Sequence, residues 1–316
     1  MALLAEAGLP DRILLENRPV APARGWQVLW PRRTILLLLG AAFLGHFALT
    51  LISNPAMRWD SIFKYLTAPL IIEGITVTVL MTIGAAIIGL IGGLVIALAR
   101  MSTNPVAKAA AIAYLSFFRG VPLLVQILFW YNLGTFFPRL GLYIPFTDIG
   151  ISGDTNQLLS PLTASLIAIG LNQAAYMGEI IRGGVLSVPH GQIEAAYGLG
   201  MTKPRAFLRV VAPLAAKSIV PPLGNDMINL LKATSLVSIV GVGDLMTRTQ
   251  GIYASNYQVI PLLIVASIWY LILTAIITVF QAILENAVSA GQQADSKPLL
   301  SRWRARLFST QGGSPS

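Results

Sequence analysis

The sequence predicts an all-α membrane protein with about six transmembrane helices. Three observations carry this. Hydrophobic residues make up 55% of the 316-residue chain and charged residues only 11%, against about 25% charged in soluble domains. Mean hydropathy is +0.71, and several apolar runs exceed the roughly 18 residues that mark a membrane span. The Lys and Arg residues, finally, are distributed unevenly between alternate connections of those runs.

Residues 1–33 carry Asp11, Arg12, Glu16, Arg18, Arg24, Arg32 and Arg33 ahead of the first apolar run. A secretory signal would place a short apolar core nearer the start, so 1–33 reads as a cytoplasmic tail. The first span is TILLLLGAAFLGHFALTLIS, 34–53. The second runs from about Leu70 to Ala99 and bears Ala85, Gly89, Gly93 and Ala97 on one face, small residues that let helix backbones approach closely. The third covers about Ala107–Phe136, interrupted by Arg119 and by Gly120-Val121-Pro122, which can kink a helix. The fourth is about Ser160–Arg182 and the fifth about Pro204–Leu231, with Lys217 and Asp226 inside it. The sixth, about Val259–Leu284, is free of charge. Trp26, Trp30 and Trp59 read as interfacial anchors, and His46 as packing on the first span.

Orientation follows from charge. With the N-terminus inside, the segments 1–33, 100–108, 182–209 and 285–316 are cytoplasmic and hold 15 Lys and Arg residues. The outer segments 54–68, 134–159 and 232–258 hold 5. Cationic residues accumulate on the cytoplasmic side, so both termini are expected there. The same rule accounts for the net charge of +9 without any nucleic acid. There is no cysteine and only His46 and His190, which leaves no thiolate chemistry and no histidine-rich metal site. No cofactor is expected.

The stretch GQIEAAYGLGMTKPRAF, 191–207, is polar and small between long apolar runs. Ile193, Ala196, Tyr197 and Gly200 fall on one face of a short helix. Glu194 lies in its early turns, where a negative charge suits the helix dipole. Gly198 and Gly200 can end the helix, Thr202 can cap the next one, and Pro204 suits its first turn. An ordinary loop would carry Lys, Ser or Asp where this one carries Ala and Gly. A small flat face invites docking of another protein.

Here the sequence resembles a known family. Glu194-Ala195-Ala196, then Gly200, then Val210-Val211-Ala212-Pro213 is similar to the EAA loop of permease subunits of bacterial ABC importers, where Ile and Leu usually stand at the positions of Val210 and Ala212. FFRGVPLLVQILFWY (117–131), AAYMGEIIRGGVLSVPHGQIEAAYGLGM (174–201) and PPLGNDMINLLKATSLVSIVG (221–241) resemble the polar amino acid branch. The resemblance covers about residues 65–287. It implies a type I ABC importer permease fold: a five-helix core over 54–290, the added helix 34–53, a coupling helix near 190–202 and a C-terminal tail 291–316. It implies ATPase coupling through Gln192, Glu194, Ala195, Ala196 and Gly200. It implies as partners a cytoplasmic ABC ATPase dimer, a periplasmic or surface-tethered substrate-binding protein, a second permease chain and the bilayer of the bacterial inner membrane. The chain lacks GxxxxGK[ST], and its nearest string GLGMTKPR has no Gly-Lys-Ser/Thr end, so ATP chemistry falls to a partner.

Polar residues within the spans mark a translocation path, since charge at membrane depth is costly. Asn172, Tyr176 and Glu179 form a stripe on the fourth span, Asn225, Asn229 and Lys232 one on the fifth, and Arg119 interrupts the third. A purely structural reading stands beside this: Glu179 pairs with Arg182 or Arg119, and the asparagines bond neighbouring helices. The expected function is ATP-driven import of polar amino acids or related compounds by alternating access. The rival is a secondary transporter coupling ions through Glu179 or Asp226. No GxSxG, HExxH or catalytic carboxylate pair points to an enzyme.

Overall fold

The computed structural model of the protein describes residues 25–143 and 150–289. The tail residues 1–24 and 291–316 lie outside the described residues, as do the side chains of Trp26 and Trp30. The chain divides after Met57 into two units. In the first, helix α1 spans Gly25–Ser53 and ends in a 3-10 turn, Pro55–Met57. The helix thus starts nine residues before the apolar run, within the segment expected to be tail. Its side chains from Thr34 to Ser53 are all exposed.

The second unit is a helical bundle. Its first part holds α2 (Trp59–Leu66), α3 (Pro69–Met101), α4 (Pro105–Gly120), α5 (Leu123–Tyr131) and the single turn α6 (Leu133–Phe136). An antiparallel hairpin follows, β1 (Arg139–Tyr143) with β2 (Gly150–Asp154), pairing Arg139 with Asp154. Then come α7 (Thr155–Leu158), α8 (Pro161–Leu186), α9 (His190–Gly198) and α10 (Lys203–Ala206). A π turn, Phe207–Val211, leads into α11 (Ala212–Ala233) and a 3-10 stretch, Thr234–Val240. Helices α12 (Leu245–Asn256) and α13 (Val259–Ser289) close the unit. The short elements α2, the hairpin and α12 occupy segments that the sequence marks only as outer connections.

The helix starts are written locally. Pro69, Pro105 and Pro161 stand in first turns, where a missing N–H costs nothing. The Asn104 side chain accepts from the N–H of Val106 and Ala107, Ser160 from Thr163, and Asp244 from Met246 and Thr247. The third span is broken rather than continuous: α4 and α5 meet at a 100° bend. Val121, before Pro122, is extended, as residues preceding proline prefer. The carbonyls released by the break are recovered by Gln126, whose Nε2 donates to Phe118 O at 3.0 Å and Val121 O at 2.9 Å.

Helix α8 is the centre of the bundle, packed by α3, α4, α5 and α11. The small residues expected on α3 do face it. A Cβ on Gly93 would stand 2.9 Å from the Gly178 backbone nitrogen, and one on Gly89 2.7 Å from Gln173 Cγ. A cluster of Met81, Ala85, Ile127, Ala168, Ile169 and Leu230 joins α3, α5, α8 and α11. A second, of Ile62, Ile71, Leu245 and Val265, joins α2, α3, α12 and α13. Among the described residues four stretches are long and apolar enough to cross a membrane, and the bent α4–α5 pair makes a fifth. Helix α8 is the fourth expected span and the one that falls outside this set. It is long enough at 26 residues but more polar, and 13 of those residues are buried within the chain. Neighbouring helices cover it, so it does not need an apolar surface of its own.

Candidate functional site

Two regions gather the predicted site residues. The first is α9. Pro189 precedes it, and Gly200, in the left-handed region at φ +73°, turns the chain out of it. Gly200 N–H donates to Tyr197 O at 2.9 Å and Met201 N–H to Ala196 O at 3.1 Å, closing the helix end. Gly198 remains the last helical residue. Thr202 stands at the start of α10, but its side chain makes no cap bond.

The flat face read from the sequence divides between two surroundings. Ile193 packs on Val188, Val211 and Ala215, and Ala196 is only 2% exposed. A nine-residue helix laid against the start of α11 must bury one side of itself. What it leaves outward is Gln192, Glu194, Ala195, Tyr197, Leu199 and Gly200.

The second region lies where α4 breaks. The Glu179 carboxylate accepts from Arg182 through Nη2 at 2.9 Å and Nε at 3.2 Å. Arg100 Nε stands 4.0 Å from Glu179 Oε1. The Arg119 guanidinium lies 5.5 Å from the Tyr176 ring centroid, a cation–π contact. Arg100, Ser116, Arg119, Tyr176 and Glu179 line one cavity of about 430 Å³, with Ile112 and Leu115 as its apolar wall. Asn172 sits behind it, buried, donating from Nδ2 to Phe118 O at 2.8 Å. Its stripe-mate Tyr176 thus faces the cavity, while Asn172 ties α8 to α4.

The α11 residues do not join this cavity. Asn225, Asn229 and Lys232 are exposed, and Lys232 borders a separate recess with Tyr270 and Ser267 of α13. Asp226 instead turns to α8, where it accepts from Gln173 Nε2. Sequence reasoning missed Arg100 and Gln173. Arg100 carried a signal: it lies seven residues after Gly93 and three after Ala97, on the side of α3 that meets α8.

A family profile described as a binding-protein-dependent transport system inner membrane component matches residues 89–290. The chain belongs to this family. It is a permease subunit of an ABC importer and a multi-pass protein of the inner membrane. It is no enzyme, since ATP hydrolysis resides on separate subunits. An ion-coupled carrier is not favoured.

The permease is 36% identical over 287 residues to an arginine transport system permease protein of Corynebacterium glutamicum, covering 90% of this chain and 88% of that one. It is 37% identical over 240 residues to an L-cystine transport system permease protein of Bacillus subtilis, covering 76% and 94%. To a glutamine transport system permease protein of Escherichia coli K12 it is 34% identical over 232 residues, covering 72% and 96%. The C. glutamicum match is longer than the unit that starts at Arg58, so it reaches into the N-terminal unit. Among solved structures, an amino acid ABC transporter crystallised with histidines aligns with a TM-score of 0.60 at 36% identity, over 72% of this chain and 97% of that one. An inward-facing methionine ABC transporter shares the fold at 20% identity and a TM-score of 0.53, over 69% and 96%.

Proposed function

We propose that the permease imports polar amino acids and that the cavity at the α4 break is a station on their path. The observation that carries this is the meeting of Arg119, Tyr176 and Glu179 in one recess, drawn from two helices. An amino acid presents a carboxylate and an ammonium a few ångströms apart. Arg119 supplies donors for the first and Glu179 acceptors for the second. The bond from Arg182 leaves Glu179 room, because a carboxylate offers about four acceptor positions. The names of the arginine, cystine and glutamine relatives support the substrate class. On this reading Asn172 holds the cavity wall, and Asn225, Asn229 and Lys232 line a further part of the path that a second permease chain completes.

The same reading assigns α9 as the coupling helix. Gln192, Glu194 and Ala195 meet a cytoplasmic ATPase dimer, Ala196 seats the helix on its own chain, and Gly200 sets its exit. A periplasmic or surface-tethered binding protein delivers substrate, and both termini are cytoplasmic. The test is Glu179→Gln and Arg119→Gln in the complex with its partners, reconstituted in proteoliposomes. Transport per folded complex should fall at least about tenfold, a loss of about 1.4 kcal/mol or more in recognition, while the complex still assembles. Unchanged transport per folded complex in both variants refutes the site and leaves Glu179 a structural ion pair.

A further inference from the structure

We infer that a slot between α3, α11 and α13 holds one acyl chain of an anionic phospholipid, with Lys217 on its phosphate. The inference is independent of what the permease carries. Residues 79–90 of α3, 220–231 of α11 and 273–284 of α13, with Met177 of α8, supply the lining of an apolar cavity of about 580 Å³. Ile87 and Phe280, on two of its walls, are more than half exposed, so the slot opens on the outside of the chain.

The dimensions choose the occupant. The lining rises about 16 Å along each of the three helices, and half of a bilayer's hydrocarbon core is about 15 Å. The volume spread over that length leaves a cross-section of roughly 40 Å². A helix about 10 Å across needs about 80 Å². The slot therefore admits a single hydrocarbon chain and not another helix. Its polar groups are already engaged. The Thr82 hydroxyl donates to Thr78 O at 2.8 Å, and Gln281 Nε2 donates to Glu285 at 2.7 Å and to Pro221 O at 3.3 Å. A polar ligand finds no partner there, and an empty slot forfeits its van der Waals contacts.

Lys217 chooses the headgroup. It precedes Val220 and Gly224 by three and seven residues, on the same face of α11, and lies two residues after Ala215, which helps seat α9. The side chain is half-buried, and among the described residues its ammonium joins no ion pair. Helical side chains lean toward the N-terminus, so the stem covers apolar surface and the ammonium reaches the interface on the α9 side. Moving an acyl chain from bilayer to slot gains little, because both are apolar. The charge is what selects the lipid, as basic groups beside grooves between spans do.

The importer complex in phosphatidylcholine nanodiscs tests this with two photoreactive probes. One is phosphatidylglycerol and the other phosphatidylcholine, each with a diazirine midway along one acyl chain. Peptide mapping after irradiation should place label in 79–90, 220–231 and 273–284, about fivefold more from the phosphatidylglycerol probe. Lys217→Gln should bring the two probes level. Ala86→Phe, which fills the slot, should remove the label from it; should that variant not fold, Ile276→Trp does the same from another wall. Label spread evenly over the exposed faces of α3 and α13 is ordinary surrounding lipid and overturns the inference. So does equal labelling by the two probes in the unaltered chain, and so does a preference that survives Lys217→Gln. A slot that takes no label overturns it too and leaves the space to a protein segment.

Discussion

Gly93→Ala tests the packing on which the site depends. The added methyl would lie 2.9 Å from the Gly178 backbone nitrogen, 2.9 Å from Met177 Cβ and 3.1 Å from the Met177 carbonyl carbon. Ordinary contacts begin near 3.5 Å, so α3 and α8 must part by roughly half an ångström. Two of the three obstacles are backbone atoms of α8 and the third is a Cβ fixed to that backbone, so none can step aside by changing rotamer. Overpacking of this kind costs about 1–3 kcal/mol, set against up to about 1 kcal/mol gained by replacing glycine in a helix. Gly251→Ala in α12 is the control, because a methyl there meets nothing within 4 Å and collects only the gain. Gly93→Ala should therefore be about 1–3 kcal/mol less stable than Gly251→Ala, measured by unfolding of the purified permease in mixed micelles. Transport should fall as well, since Met177 adjoins Tyr176. Equal stability of the two variants refutes the close α3–α8 contact.

Three further outcomes follow from the other elements. Glu194→Lys reverses a charge on the outward face of α9, and the variant should insert and fold but recover markedly less ATPase on co-purification; a full share with normal transport removes the coupling role. Asp244→Ala removes both cap bonds at the start of α12 and should cost about 0.5–2 kcal/mol in thermal stability. Burial pushes the Asp244 carboxyl above its ordinary value while its hydrogen bonds pull it down, so Asp244→Asn, which keeps an acceptor without a buried charge, should cost less; an equal loss argues against the cap. Reporter fusions at residues 1 and 316 should both give a cytoplasmic signal, and a periplasmic signal from either end refutes the orientation.

The spans were legible because lipid imposes a crude rule, apolar over about 20 residues, that composition obeys. The small-residue stripe on α3 was legible because its spacing needs no partner to be known. The bend after Gly120 was written in Gly-Val-Pro, but its size was not, since the angle depends on Gln126 reaching back to two carbonyls across the break. The outward face of α9 is narrower than its periodicity alone implies. Periodicity shows that Ile193 and Ala196 share a side with Tyr197, and it cannot show that Val211 and Ala215 cover part of that side. The polar residues of the fourth and fifth spans looked like one path. The fold separates them: Glu179 and Tyr176 line the cavity at the α4 break, whereas Asn225, Asn229 and Lys232 are exposed outside it. Arg100 marks the end of the second span by its charge, and its register with Gly93 and Ala97 also places it on the side of α3 that meets α8.

On the proposed function, the join between cavity and coupling helix is short. Glu179 and Leu186 lie seven residues apart on α8, about 10 Å of continuous helix, and only Ser187, Val188 and Pro189 separate α8 from α9. Val188 is itself buried in the cluster that seats Ile193. The Ser187 hydroxyl donates to Gly184 O and accepts from the Ser218 hydroxyl of α11. The connection is therefore packed and hydrogen-bonded rather than loose, and a push on α9 reaches α8 and the first half of α11 together. Further along α11, Pro221 and Pro222 withdraw two backbone donors. Gln281 of α13 closes on that point, donating to Pro221 O at 3.3 Å, and a Cβ on Gly224 would stand 2.3 Å from its amide carbon. Helix α11 is weakest where its own ladder is interrupted and best braced there from outside. On the proposed function, a displacement entering at α9 has continuous helix along α8 as far as Glu179, while on α11 it meets the interrupted ladder at Pro221 and Pro222 before Asn225 and Asn229.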